Sequence, residues 1–211
     1  MMDIKAVVFD FDGTLYDKKG MARRVVLQNL RHLRMLAATR RVCTAFRGRY
    51  FGNRDALFAE LFCQIAERAV VTPQEAEAWY YAHYLGTMLR MLQRHYRPRP
   101  QTEALIAALH AAGVRVMLYS DYGLCKERVE AIGMDASTFD KLYSSSEFGG
   151  LKPCKEAFEK MLAANGLSPA EVLLVGDSDI CDAECAKRSG ANFFSLKTDA
   201  DMARLFAEMT T

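Results

Sequence analysis

Short apolar runs alternate with helix-like segments over most of the chain. The first run, residues 4–9, is rich in Val and flanked by charged residues, as is typical of a buried parallel strand. Further strands are predicted at 114–119, 141–144, 172–175 and 192–195. Helices are predicted at 102–112, 124–132, 155–165 and 182–189, each followed by a glycine that can end it. This alternation predicts an α/β fold whose core is a Rossmann-like parallel sheet with right-handed crossovers.

One long segment near the N-terminus departs from this alternation because it is helical throughout. From about residue 19 to 96, apolar positions recur every three or four residues. A helix start is well marked inside it, because Thr72 suits the N-cap and Pro73 suits the first helical position. Glu75 stands where a capping box needs an acid. We therefore predict a helix that runs from this point towards the end of the segment.

Proline and charge mark off this segment as a separate unit. The stretch 98–100 contains two prolines, which disfavour helix and form a stiff boundary. We predict an all-helical cap domain at 17–98, inserted after the first strand into a core domain formed by 1–16 and 99–211. The net charge of the chain is +2, but 17–98 holds 15 basic and 6 acidic residues, whereas the rest holds 13 basic and 20 acidic residues. Thirteen of those 15 basic residues are Arg.

Length and composition indicate a folded protein with an ordinary hydrophobic core. The chain has 211 residues, of which 51% are hydrophobic and 26% charged, so it is not a disordered chain. The apolar run near the N-terminus is too short for a signal peptide, and no stretch approaches the roughly 18 apolar residues of a membrane span. The six Cys are scattered without a disulfide framework. We expect a cytoplasmic protein that does not bind membranes.

The polar residues that follow the predicted strands form a chemically coherent group. In open α/β sheets the ligand site lies beyond the carboxyl ends of the strands. The segments there bring carboxylates, a hydroxyl group and one Lys, namely Asp10, Asp12, Gly13, Thr14, Ser120, Asp121, Gly150, Lys152, Pro153, Gly176, Asp177, Ser178, Asp179 and Asp182. Clustered carboxylates repel one another, and a bound cation removes that repulsion. Oxygen ligands favour Mg²⁺, and Mg²⁺ beside a Lys, a hydroxyl group and a Gly-containing turn is typical of a phosphoryl site.

These segments resemble, in order, the four sequence signatures of the haloacid dehalogenase superfamily. The resemblance rests on Asp10-Phe11-Asp12-Gly13-Thr14-Leu15-Tyr16, Tyr119-Ser120-Asp121, Gly150-Leu151-Lys152-Pro153, and Gly176-Asp177-Ser178 with Asp182. The helical insertion between the first and second signatures is similar to the helical cap of the phosphatase-like branch of subfamily I. The resemblance implies a Mg²⁺-dependent phosphomonoester hydrolase that works as a monomer on a small phosphorylated metabolite, through an aspartyl-phosphate intermediate.

The resemblance also implies a role for each residue of the signatures. Asp10 would be the nucleophile that attacks phosphorus, and Asp12 would protonate the leaving oxygen and then deprotonate the attacking water. Mg²⁺ would be held by Asp10, Asp177 and the backbone oxygen of Asp12, while Asp182 would support the metal's waters. The side chains of Ser120 and Lys152 would bind the phosphoryl oxygens. The backbone N–H groups around Phe11, Gly13 and Asp121 would bind them as well.

Other branches of the superfamily fit the sequence less well. Its dehalogenases lack the second acid because halide leaves without a proton, whereas Asp12 is present here. Its phosphonate hydrolases need a cap Lys as a Schiff base, and the predicted cap has only Lys18 and Lys19, both at its first hinge. A β-phosphoglucomutase-like phosphotransferase remains an alternative, because it shares all four signatures and differs in the group that accepts the phosphate.

The basic cap allows two interpretations. Arginines of the cap can bind a second anionic group of the substrate bidentately, and Arg23, Arg24 and Arg54 are candidates because they lie near the hinge or in the mid-cap loop. Alternatively, the nine Arg from Arg23 to Arg54 form a nucleic-acid-binding surface on a catalytically silent module. The arginines are spread over several helix faces and the catalytic set is complete. We therefore expect a small phosphorylated substrate rather than a nucleic acid.

Overall fold

The core of the protein is a five-stranded parallel sheet. The structure is a computed structural model that describes residues 4–210. Its strands are β1 Ala6–Phe9, β2 Arg115–Ser120, β3 Lys141–Ser144, β4 Val172–Gly176 and β5 Asn192–Ser195. The order across the sheet is β3-β2-β1-β4-β5, and all neighbours pair in parallel. The predicted α/β class with a Rossmann-like parallel sheet is confirmed.

Helices cover both faces of this sheet because alternate strand residues point to opposite sides. The helices are α1 Met21–Gln28, α2 Leu33–Phe46, α3 Arg54–Ala69, α4 Pro73–Trp79, α5 Gly86–His95, α6 Thr102–Ala111, α7 Cys125–Ala131, α8 Lys155–Ala164, α9 Glu184–Ser189 and α10 Asp199–Thr210. Val7 and Phe9 of β1 belong to the apolar cluster built with α6, α7 and α10. Ala6 and Val8 belong to the opposite cluster, built with α8 and α9. The central strand is buried on both faces as a result.

The element bounds differ from the sequence prediction in a few places. β2 and β4 each extend one residue further, because Ser120 pairs with Ser144 of β3 and Gly176 pairs with Ser195 of β5. The predicted helix 182–189 is preceded by a π-helical turn, which shortens the regular α-helix to α9. α10 was not predicted, although Met202 and Leu205 on it are buried against the sheet layer.

Helices α1–α5 lie between β1 and α6 in the chain and have an apolar core of their own. Val42, Phe46 and Ile65 are fully buried in this core. The predicted helix start is confirmed, because the Thr72 side chain and Glu75 form a complete capping box at the start of α4. A π-helical segment, Tyr80–Leu85, connects α4 to α5 without a break in the helix. The bounds of the cap as a domain, 17–98, stay a prediction.

A buried arginine ties the end of the helical segment to the loop after β1. The Arg99 guanidinium donates to the backbone oxygens of Thr14 at 3.0 Å and Gly13 at 2.9 Å. It also donates to the backbone oxygen of Lys197 at 2.8 Å and pairs with Asp199 at 2.7 Å. Because a guanidinium presents its donors in a planar fork, one side chain holds three chain segments together. This contact fixes the loop that carries the candidate nucleophile.

No helix formed by residues 4–210 is both long enough and apolar enough to cross a membrane. The continuous helix formed by α4, Tyr80–Leu85 and α5 carries several charged residues, among them Glu75, Glu77, Arg90 and Arg94. The longest single α-helix, α3, has 16 residues, fewer than the roughly 20 apolar residues that span a bilayer. It buries Leu57, Leu61 and Ile65 on one side and carries charged residues elsewhere. This is the pattern of an amphipathic helix that packs against its neighbours.

Candidate active site

The loops after β1, β2 and β4 meet at the carboxyl edge of the sheet and open into a cavity of about 620 Å³. The predicted site residues that line this cavity are Asp10, Asp12, Ser120, Asp121, Lys152, Asp177 and Asp182, with Arg23 from α1. Phe11 lies between Asp10 and Asp12, and Gly13 directly follows Asp12, in the loop after β1. The parallel topology therefore brings together residues that are far apart in the sequence.

Asp10 is held at the end of the central strand by contacts on both carboxylate oxygens. Its side chain is buried, with Thr14 donating to Oδ2 at 3.0 Å and Lys152 donating to Oδ1 at 2.5 Å. Burial raises the pKa of Asp10 to about 6, and the Lys152 charge limits the rise that burial and the neighbouring acids Asp182 and Asp12 cause. The buried ion pair with Lys152 favours the ionised carboxylate, so an oriented anion faces the cavity.

Lys152 joins two carboxylates in the floor of the cavity. Its ammonium is only 3% exposed and donates to Asp10 at 2.5 Å and to Asp182 at 2.6 Å. Burial alone would lower the pKa of Lys152, but the charges of Asp10 and Asp182 outweigh burial and hold the pKa above its ordinary value. The loop that carries Lys152 is fixed by Asp121, whose carboxylate accepts from the Lys152 backbone N–H and from Ser145, both at 2.8 Å. Asp121 thus supports the lysine with its side chain.

Three carboxylates in this floor form a group suited to a divalent cation. Oxygen atoms of Asp10, Asp177 and Asp182 all lie within 4.8 Å of one another. Asp182 is 1% exposed, and its second oxygen accepts from the backbone N–H of Ser178 at 3.1 Å. A set of hard oxygen donors on a rigid edge fits Mg²⁺. The donor set therefore agrees with the metal predicted from the sequence.

A lysine ammonium already lies against two of the predicted metal ligands. Lys18 Nζ is 2.5 Å from Oδ2 of Asp177 and 3.2 Å from the backbone oxygen of Asp12. The turn directly after Asp12 requires glycine at position 13. Gly13 has a φ of 92°, and a Cβ atom there would overlap the Asp177 carboxylate. The two oxygens thus converge on one cation, and Lys18, whose side chain is 49% exposed, is long enough to move aside for another.

Arg128 is a buried site residue that was not predicted from the sequence. It lies on α7 with 1% exposure and forms an ion pair with the Asp12 carboxylate. Its guanidinium also donates to the Ser120 hydroxyl at 2.9 Å and to the backbone oxygen of Tyr122 at 3.0 Å, and it lies 4.4 Å from the centre of the Phe11 ring. One side chain therefore links the loop after β1 to the loop after β2.

A sequence signal for Arg128 does exist. Cys125, Val129 and Ile132 are buried at helical spacing on α7, and Arg128 occupies the same face. A charged residue on the apolar face of a helix is buried only when it is paired. Arg128 interrupts the apolar face of α7, and Asp12 was already a candidate site acid. The two observations together could have indicated that Arg128 pairs with Asp12.

Asp12 differs from the other acids because its side chain points away from the carboxylate cluster. One oxygen accepts from the Tyr16 hydroxyl at 2.6 Å, and the other pairs with Arg128. The Asp12 side chain is 25% exposed and lines the cavity. Its carboxyl group is therefore oriented for contact with a ligand, while its backbone oxygen faces the predicted metal position.

The structure brings only one of the three predicted cap arginines to the cavity. Arg23 lines it. Arg24 instead donates to the backbone oxygen of Lys19 at 3.2 Å and to the Tyr96 hydroxyl at 3.1 Å. Arg54 begins α3 and stacks over Phe58 at 5.1 Å. Proximity to the hinge or the mid-cap loop in the sequence does not place a side chain on the cavity wall.

The model of one protein family matches most of this chain. The haloacid dehalogenase-like hydrolases match over residues 4–190. No curated protein sequence matches the chain.

Several solved structures share the fold at low sequence identity. A predicted phosphoglycolate phosphatase from Haemophilus somnus 129PT is 20% identical with a TM-score of 0.60, covering 92% of this chain and 86% of that one. The L-2-haloacid dehalogenase from Xanthobacter autotrophicus is 22% identical with a TM-score of 0.61, covering 99% and 84%. The HAD-hydrolase YfnB from Bacillus subtilis, bound to magnesium, is 17% identical with a TM-score of 0.60, covering 90% and 87%. At these identities the likeness describes the fold, and activity has to be argued from the site.

Proposed function

The chain belongs to the haloacid dehalogenase-like hydrolase family, and from this premise we propose that it is a Mg²⁺-dependent phosphatase of small phosphomonoesters. The observation that carries the proposal is the second acid, Asp12, which lines the same cavity as the buried nucleophile candidate Asp10. Halide leaves without a proton, whereas an alkoxide leaving group needs one. A positioned acid at this point therefore favours ester hydrolysis over dehalogenation.

Asp10 acts as the nucleophile in this proposal. Thr14 and Lys152 hold its two oxygens, and the Lys152 ammonium favours its ionised form. In the first step a carboxylate oxygen bonds to phosphorus while the bond between phosphorus and the leaving oxygen breaks, giving an aspartyl-phosphate. In the second step water attacks phosphorus, and the bond to Asp10 breaks to release phosphate. The buried pair restricts the carboxylate to one geometry, which lowers the entropy cost of the attack.

The charge of the phosphoryl group is balanced by cations in the cavity floor. Lys152 presents a charged ammonium beside Asp10, and the Ser120 hydroxyl lies at the end of β2 in the lining of the same cavity. Mg²⁺ held by Asp10, Asp177 and the Asp12 backbone oxygen would offset the repulsion between nucleophile and phosphate and polarise phosphorus. The Asp182 carboxylate orients Lys152 and would support the water shell of a bound metal.

Asp12 moves the proton in both steps. In this role its carboxyl group carries a proton when the substrate binds and gives it to the leaving oxygen as the bond to phosphorus breaks. In the second step it regains a proton from the attacking water, which restores the starting state. Tyr16 and Arg128 hold the carboxyl group at the cavity, so that its orientation survives both steps. Arg128 also contacts Ser120, which couples the position of the acid to that of a phosphate-binding hydroxyl.

The proposal is tested with p-nitrophenyl phosphate, with and without Mg²⁺. We expect Mg²⁺-dependent release of phosphate, and we expect Asp10→Asn to lower kcat about 10⁴-fold or more, as removal of a nucleophile usually does. Asp179→Asn is the matched control, because Asp179 is exposed, pairs with Lys197 and lies outside the cavity lining. Turnover that survives Asp10→Asn would exclude this mechanism. Halide release from 2-haloacids without ester hydrolysis would assign the site to dehalogenation.

A further inference from the structure

We propose that the cap wall of the cavity is a subsite for a second anionic group on the substrate, a carboxylate or a second phosphate. The inference rests on the proposed function, because the first anionic group is the phosphoryl group on the cavity floor. The subsite consists of Arg23 on α1, Arg40 on α2 and Arg47 immediately after α2, and all three line the cavity. The substrate is thus an organic phosphate with two negatively charged ends.

Each lysine of the floor is paired with at least one carboxylate. Lys152 pairs with Asp10 and Asp182, and Lys18 pairs with Asp177. The three arginines of the cap wall differ from them, because none forms an ion pair with a carboxylate in the described part of the chain, residues 4–210. All three are exposed to solvent. They therefore retain their full capacity to bind an anion.

The acids that line the cavity all belong to the floor. They are Asp10, Asp12, Asp121, Asp177 and Asp182. The cap wall contributes charged residues of one sign only, so its potential attracts anions and is not cancelled locally. A phosphate ester with one charged end would leave this positive wall without a partner. An ester with a second anionic group matches both sides of the cavity.

Apolar side chains of the cap line the same cavity as the three arginines. Val25, Leu36 and Met88 line the cavity there, and all three are largely buried in the cap. A carbon skeleton can pack against these side chains, whereas a bare inorganic anion gains nothing from them. The cavity volume of about 620 Å³ is large enough for a phosphate group with a compact carbon skeleton. The ligand class is therefore a phosphomonoester of a hydroxy acid or a bisphosphate with a compact carbon body.

Arginine suits this task because its planar fork binds carboxylate and phosphate through two parallel hydrogen bonds. The absence of Lys from residues 20–125 means that every permanent positive charge on the cap helices is a guanidinium. Because the arginines are exposed, each contact is screened by water, and each alone contributes modestly. The preference for a substrate with a second anionic group should therefore depend on all three arginines together, not on one of them.

Two esters of identical shape test the subsite. We compare kcat/KM for 4-carboxyphenyl phosphate with kcat/KM for 4-carbamoylphenyl phosphate, which replaces the charged carboxylate with a neutral amide. The wild-type enzyme should prefer the charged ester by about tenfold, as expected for a few charge-assisted contacts. Arg40→Gln with Arg47→Gln should bring the ratio close to one, and Arg23→Gln should reduce it partly. A third ester, 1,4-phenylene bisphosphate, shows whether phosphate is preferred to carboxylate.

Arg41→Gln is the matched control, since Arg41 is an exposed neighbour on α2 that does not line the cavity. It should leave the ratio unchanged. A wild-type ratio near one, or a double variant that keeps the wild-type ratio, would overturn the subsite. If no ester is hydrolysed, the proposed function fails, and calorimetry of the same two esters on Asp10→Asn decides the subsite separately. Equal dissociation constants for the two esters in that experiment would exclude it.

Discussion

The floor and the cap wall of the cavity use positive charge in opposite ways. Arg128 in the floor is 1% exposed and is bound by Asp12, Ser120 and a backbone oxygen. Arg40 in the wall is exposed and has no carboxylate partner among residues 4–210. The same residue type is thus a fixed part of the structure at one position and an open binding group at the other. Burial and available partners, rather than residue type, decide which.

This difference has an energetic consequence. A charge buried in the floor has lost its water, so its ion pair must be complete before any ligand arrives. A charge on the wall keeps its hydration and costs little until an anion replaces the water. The floor is therefore organised by the fold itself, whereas the wall completes its contacts only with a substrate. Removal of a positive charge from the floor should therefore lower the free energy of unfolding much more than removal of one from the wall.

The largest expected effect is the loss of Arg128. Arg128→Gln removes the ion-pair partner of Asp12 and a hydrogen-bond donor to Ser120, and breaking a buried pair of this kind costs about 3 kcal/mol of unfolding free energy. Arg40→Gln should change it by less than about 0.5 kcal/mol, as is usual for exposed positions. Urea denaturation of both variants measures the difference. A cost for Arg40→Gln similar to that for Arg128→Gln would break the comparison between floor and wall.

The next effect concerns the metal, which should act on the floor alone. Mg²⁺ that binds the folded state stabilises it by about 2.7 kcal/mol at 100 times its Kd, and EDTA should reverse the gain. Asp177→Asn removes an oxygen charge from the cluster and should abolish the gain. Asp55→Asn, an exposed acid in the first turn of α3, should preserve it. Thermal denaturation with and without Mg²⁺ gives the result, and an equal response in all variants would contradict the assigned metal position.

The smallest expected effect belongs to the cap helices. Thr72→Ala removes the hydroxyl group that accepts the Glu75 N–H, and loss of an N-cap costs about 1 kcal/mol. Thr72→Ser keeps the hydroxyl group and should retain most of the stability. Phosphatase activity on p-nitrophenyl phosphate should be similar in both variants, because Thr72, at the start of α4, does not line the cavity. If Thr72→Ala abolished activity without a loss of stability, the cap would be coupled to the floor more tightly than the contacts indicate.

Most of the sheet and its edge could be predicted from local patterns. β3 and β5 have the predicted bounds, β1 and β4 differ by two residues and one residue at one end, and β2 is shifted by one residue at both ends. Strands buried on both faces are continuous apolar runs, and parallel topology places the residues after them at one edge. That is why Asp10, Lys152 and Asp177 could be assigned to one site before their distances were known. α10 was not predicted, because no helical pattern was assigned to the segment after β5.

Positions on the cavity wall could not be predicted in the same way. Arg24 and Arg54 stood close to the hinge or the mid-cap loop, yet Arg24 bonds to Tyr96 and Arg54 stacks on Phe58. Which face of a cap helix meets the cavity depends on how α1 and α2 pack against the rest of the cap. Helical periodicity shows which residues share a face, but it does not show what that face contacts.

The sequence by itself determined the fold class, the acids and lysine at the sheet edge, and the contrast between an acidic core and a basic cap. Each of these follows from local periodicity or from topology that local periodicity implies. Only the tertiary structure decided that Arg128 binds Asp12, that Asp121 supports Lys152, and that Arg40 and Arg47 line the cavity. These contacts join elements that are distant in the chain, and side-chain packing between such elements has no local signature strong enough to select one partner.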